Sequence, residues 1–121
     1  MANDFKRFTS ASLGTTAGAS ATAVYTVPSS SSTAMESIVI GITLANKSSA
    51  GITASVFLDN YSGSNDVYIV KDATIPAGAS LEVMSGNKLV LQGDGTNNDA
   101  LRISSSAASA LDATVSVLED V

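Results

Sequence analysis

From Thr22 onward the chain alternates apolar and polar side chains in short runs. Each run breaks after about ten residues at Gly, Pro, Asn, Asp or Ser. A period of two sends one face of a strand into a core and the other outward, and no stretch keeps the 3.6-residue period of a helix. The pattern therefore restricts the chain to antiparallel β-structure with one face of each sheet covered. The clearest run is Glu36–Ala45, which predicts a strand with Ile38, Ile40, Ile42 and Leu44 on one face and Val39, Gly41 and Thr43 on the other. Asn46–Gly51 then turns the chain, and Ile52, Ala54, Val56 and Leu58 repeat the alternation, which predicts a hairpin between the two. In Ile75–Gln92, Pro76 and Gly78 supply a turn, and Gly86-Asn87 separates Leu81 and Val83 from Leu89 and Leu91 as the loop of a second hairpin. All four of these residues are expected in the core.

Further strands are predicted at Thr22–Val27, stopped by Pro28, at Val67–Lys71, around Leu101 and Ile103, and over Leu111–Val117. About eight strands at this spacing predict a single antiparallel β-sandwich, either jelly-roll or immunoglobulin-like, with a strand order that residue pattern does not reveal. At 121 residues the chain is one domain, and a chain of that size buries roughly 65% of its unfolded surface. The sandwich is assigned to residues 22–121. Residues 1–21 show neither period and are read as an extended N-terminal arm. Thirteen extended residues reach about 45 Å, far enough to touch an adjacent subunit. Phe5, Lys6, Arg7, Phe8 and Leu13 are its expected interface residues.

Charge and chemistry narrow the function. Only 14% of residues are charged, and a surface of hydroxyls and small side chains costs little to dehydrate in an assembly. Net charge is −5, and no basic cluster exceeds the pair Lys6-Arg7, so a phosphate-gripping nucleic-acid surface is not expected. The apolar run Ile38–Leu44 is too short to span a bilayer, and the first residues lack the apolar segment of a secretory signal, so folding in a cytoplasm is expected. The chain has no His and no Cys, which removes Ser-His-Asp and Cys-His catalysis and thiolate metal sites. Ser85–Lys88 matches S-x-x-K, but a turn between strands is the expected reading. Asp94, Thr96 and Asn98, and separately Asp59, Asn60, Asn65 and Asp66, are read as turn-capping Asx residues, with cation binding as the alternative. Tyr25, Tyr61 and Tyr68 are read as core or rim residues, with a sugar platform as the alternative. No enzyme activity, cofactor or metal is expected.

Five phrases carry a family resemblance: Val24–Pro28, Ile38–Asn46, Tyr68–Ser80, Gly86–Leu91 and Leu111–Glu119. From about residue 22 to the end the chain resembles small virion structural proteins of tailed bacteriophages, particularly those of marine cyanobacteria. The Gly93–Asp99 loop is longer than the simple Gly-Asp turn of that family. The resemblance implies a non-enzymatic β-sandwich on the particle, most directly a capsid decoration (cement) protein. Such a protein would be homotrimeric, bound to the major capsid protein or another virion protein, and assembled in the host cytoplasm. The alternatives are a neck, collar or tail component and a carbohydrate- or receptor-binding module. On the decoration reading the arm makes the attachment, so deleting residues 1–13 is expected to abolish binding and leave a folded domain.

Overall fold

The computed structural model describes residues 3–29, 33–63, 65–84 and 88–120. Nine strands are present among them: β1 (Asn3–Ser10), β2 (Thr22–Thr26), β3 (Met35–Asn46), β4 (Ile52–Asp59), β5 (Val67–Ile75), β6 (Ser80–Glu82), β7 (Leu89–Gly93), β8 (Ala100–Ser105) and β9 (Leu111–Asp120). Gly18–Ser20 forms one 3₁₀ turn, and among the described residues no helix is long and apolar enough to cross a membrane. Sheet A runs β1-β9-β3, with β6 and β7 both on the far side of β3, and sheet B runs β2-β8-β4-β5. Every pairing is antiparallel.

β6 and β7 are not a hairpin. Leu81 stands opposite Leu44, and Leu91 stands opposite Ser37, so the two segments run one after the other down the same edge of β3. β6 pairs with Thr43–Ala45 and β7 with Met35–Val39, so the edge strand is interrupted opposite Ile40–Ile42. Of the predicted S-x-x-K turn, Ser85–Lys88, the first three residues lie outside the described residues. Counting β6 and β7 as one interrupted strand, the pairs β1·β9, β2·β8, β3·β6/β7 and β4·β5 are nested like the rungs of a single long hairpin. Rolling such a hairpin into two sheets is the jelly-roll arrangement, which decides between the two expected topologies.

The predicted hairpin of β3 with β4 also does not form, because the two strands lie in different sheets. Buried Asn46 holds the connection between them. Its Nδ2 donates to the carbonyls of Ala50, Ile75 and Pro76 at 2.8, 3.0 and 3.1 Å, and its Oδ1 accepts from the Ser48 N–H at 2.9 Å. The connection is thereby wrapped around one side chain and carried from sheet A to sheet B, so the apolar faces of β3 and β4 meet across the core instead of side by side.

The inward face of β3 differs from its alternation. Val39 pairs with Val117 and Gly41 with Ser116, so Ile40 is an extra residue, a β-bulge. One inserted residue reverses the parity. Ser37 and Val39 point inward before the bulge, Ile42 and Leu44 after it, and Ile38 and Ile40 are turned outward. Leu91 is fully buried, and Leu81, Val83 and Leu89 pack against the core as expected.

The N-terminal segment is a strand of the sandwich rather than an extended arm. β1 pairs with β9 over its whole length, Asn3 opposite Asp120 to Ser10 opposite Ala113, without a register shift. Leu13, only 2% exposed, enters the chain's own core, and its N–H donates to the Leu111 carbonyl at 2.9 Å. Phe5–Phe8 gives no alternation that would mark a strand, because the inward pair Lys6 and Phe8 is as mixed as the outward pair Phe5 and Arg7.

Candidate interaction face

Register brings four outward apolar residues into one row across sheet A. Phe5 on β1 stands opposite Leu118 on β9, Leu118 opposite Ile38 on β3, and Ile38 opposite Val90 on β7. The row crosses four strands at right angles, about 14 Å at the usual strand spacing. Phe5 is 77% exposed and Val90 54%, while Leu118 and Ile38 are half-buried between them. The bulge adds Ile40, at 40% exposure, to the same face. Beside it a shallow depression of about 390 Å³ is lined by Phe5, Lys6, Arg7, Ile40, Ser116 and Val117. Contiguous exposed apolar residues on one sheet face mark a place for another molecule more often than scattered ones do.

Beneath the row a buried polar cluster holds β1 in place. Glu119, 1% exposed, continues the inward parity of Leu111, Ala113, Val115 and Val117. Its Oε2 accepts from the Tyr25 hydroxyl at 2.7 Å, and Tyr25 Oη also lies 2.7 Å from Ser37 Oγ. Glu119 Oε1 has no hydrogen bond of good angle among the described residues; its partner is the Lys6 ammonium at 2.9 Å, an ion pair. The Phe8 ring packs on Tyr25, centroids 4.8 Å apart. Lys6 and Phe8 thus cap the cluster from above, which fixes β1 and sets Phe5 and Arg7 on the outer face.

The cluster predicts an alkaline limit to stability. Burial, followed by the hydrogen bond to Glu119, pushes the Tyr25 hydroxyl well above its ordinary 10.0, and Glu119 raises the Lys6 ammonium above 10.5. Both groups hold their protons more tightly folded than unfolded. Their stabilisation is complete below pH 10.0 and declines as pH rises past the unfolded values, because the unfolded chain then binds fewer protons. Lys71, raised by Asp72, acts in the same direction. The melting temperature is therefore expected to fall above about pH 10, and Tyr25→Phe to shrink that fall while lowering the melting temperature at neutral pH. A Tyr25→Phe profile parallel to wild type would contradict this. On the acid side, Asp112, held down by Lys47 and the Ser12 N–H, and Asp94, held down by the Asn97 and Thr96 N–H groups, lose their contribution as pH drops below 3.8.

The sequence-predicted residues fall into three groups. Phe5 and Arg7 are exposed on the candidate face. Lys6 and Phe8 are spent on Glu119 and Tyr25, and Leu13 is interior, so these three contact their own chain. The two Asx-rich loops cap themselves and each other. Asp94 Oδ1 accepts the Thr96 and Asn97 N–H groups at 2.9 and 2.7 Å, and Asp66 Oδ1 accepts the Asn60 N–H at 2.7 Å. Asp99, 6% exposed, joins the loops: Oδ1 accepts from Tyr61 N–H at 2.6 Å and Oδ2 from Gln92 N–H at 2.8 Å. Among the described residues no three acidic groups converge as a metal site would require. Tyr25 lies inside the sandwich, and Tyr68 packs edge-on against Phe57 at 5.0 Å, so the three tyrosines form no common platform.

A second concavity, about 140 Å³, is lined by hydroxyls, including Thr15, Thr53, Ser55 and Ser104, and by Asp72. Asp72 Oδ2 takes the Lys71 ammonium at 3.1 Å, and the Asp72 N–H donates to Ser55 Oγ at 2.9 Å. The cleft offers no aromatic ring for a sugar to stack on. Glu119 was not marked by residue type, yet it could have been found by continuing the parity of Leu111, Ala113, Val115 and Val117; Ser37 could not, because the bulge at Ile40 turns inward the face that the alternation sets outward.

Fold and face together define an antiparallel jelly-roll sandwich with an apolar row across one outer sheet surface. Comparison with family models, curated proteins and solved structures finds no significant match to this chain.

Proposed function

We propose that this chain is a non-enzymatic structural component of a bacteriophage virion, a capsid decoration protein that stabilises the head through subunit contacts. The observation that supports it is the Phe5–Leu118–Ile38–Val90 row, an apolar band on a low-charge surface that costs little to dehydrate. The sequence resemblance in residues 22–121 points the same way. Jelly rolls serve in capsids and in lectins alike, so the fold alone does not choose between a virion role and a sugar-binding one. On this reading the partners are further copies of the chain and the major capsid protein or another virion protein. The test is mass spectrometry of purified particles followed by a cryo-EM map. Density repeated over the whole shell is the expected result. Density confined to one ring at the neck or tail moves the protein to that site, and absence from the particles sinks the reading.

A further inference from the structure

The outer face of sheet A also carries an ordered charge pattern. On one side of the apolar row, two residues along the strands, lie Arg7 on β1 and Lys88 just before β7, both exposed. On the other side, again two residues along, lies exposed Glu36 on β3. The charges nearest the row are thus basic on one side and acidic on the other, in a chain with only six basic residues, with Glu82 farther out on the basic side, opposite Thr43.

We propose that a second copy of this chain covers this face, packed sheet to sheet about a two-fold axis lying along the Phe5–Leu118–Ile38–Val90 row. The inference names the partner for the surface on which the proposed function rests. An axis in that direction lays the apolar row on itself and exchanges the flanks. Lys88 of one copy then stands across the interface from Glu36 of the other, displaced along the row by one strand spacing, about 4.8 Å. An axis parallel to the strands would instead set Arg7 against Lys88, like charge on like.

Edge-to-edge pairing through β1 fits less well. Its centre is Lys6-Arg7, and a self-paired antiparallel edge would bring these charges opposite one another. The area is sufficient for a modest dimer. Four strands at about 4.8 Å, each contributing about 20 Å of length, give roughly 400 Å² in projection. Side-chain relief brings this toward the ~800 Å² per partner of a standard interface. The dimer is therefore expected to dissociate on dilution.

The experiment is sedimentation velocity of the whole chain over a wide concentration series. Wild type is expected to move from monomer to dimer as concentration rises. Val90→Lys is expected to weaken association by roughly a hundredfold, because a symmetric interface buries the new charge twice. Val67→Lys, at the exposed residue of β5 in sheet B, leaves the dimer as it is. Lys88→Glu weakens association, and Lys88→Glu with Glu36→Lys restores it. Circular dichroism melts confirm that each variant is folded. A wild type that stays monomeric at every concentration overturns the proposal, as does a dimer or trimer indifferent to Val90→Lys. Failure of the paired charge swap to restore association overturns the two-fold axis along the row. The virion reading fails separately, by absence of the chain from particles.

Discussion

Deleting residues 1–13 is expected to leave a chain with no cooperative unfolding transition. The deletion removes the eight-residue ladder of β1 on β9, the Phe8 ring from Tyr25 and the Leu13 side chain from the core. Loss of a buried Leu alone costs about 2–5 kcal/mol. Stripping Lys6 from Glu119 also removes the counter-charge of a buried carboxylate. Together these approach the whole stability of a small domain, about 5–15 kcal/mol. Calorimetry of the truncated chain is the check. A cooperative melt near that of the full chain would show that β1 is dispensable, as the extended-arm reading held. Phe5→Ser is the matched control: it removes an exposed ring from the same strand and is expected to shift stability by no more than about 0.5 kcal/mol. Loss of particle binding after truncation would therefore report unfolding, whereas loss after Phe5→Ser would report the face.

Asp99→Ala is expected to be the most damaging loop substitution. It leaves the N–H groups of Tyr61 and Gln92 without an acceptor and separates the loops after β4 and β7. Two hydrogen bonds to a buried charge make the loss about 3–5 kcal/mol. Asp99→Asn retains one oxygen acceptor and is expected to lose about half as much. Asp94→Ala removes an exposed turn cap and is expected to cost far less than Asp99→Ala. Urea denaturation of the three variants ranks them. An Asp99→Ala midpoint equal to that of Asp94→Ala would refute the bridging role.

The candidate face was partly legible. Phe5 and Arg7 stood out as aromatic and basic residues in a chain poor in both. The reason given for them, an arm reaching to a neighbour, does not match their position on a strand that docks on its own sheet. Lys6 and Phe8, expected as interface residues beside them, lie on the Glu119 and Tyr25 side of β1, Lys6 remaining half-exposed, and a mixed edge strand carries no period-two signal that would reveal this. Ile38 and Val90 entered the face for opposite reasons: Val90 by the ordinary alternation with buried Leu91, Ile38 because the bulge at Ile40 reverses the parity of β3. A bulge leaves no mark in the apolar pattern on its own, since Ile38 to Leu44 alternates equally well through it.

The division of labour follows from the range of the interactions. Alternation and turn residues act between neighbours in the chain. They determined that the fold is all-β, where β2, β3, β4 and β9 begin and end to within a few residues, that a strand passes through Leu101 and Ile103, and that Leu44, Val56, Ile103 and Val115 are interior. Composition, with no His and no Cys, excluded catalysis by either outright. Partners distant in sequence decided the rest. The Glu119–Tyr25 contact spans 94 residues and the Tyr61–Asp99 contact 38. Whether β6 and β7 face each other or follow each other along β3, and whether Phe5 lines up with Val90, depends on register across separate strands. A residue pattern sets which side of a strand is apolar; only the pairing sets which strand lies beside it.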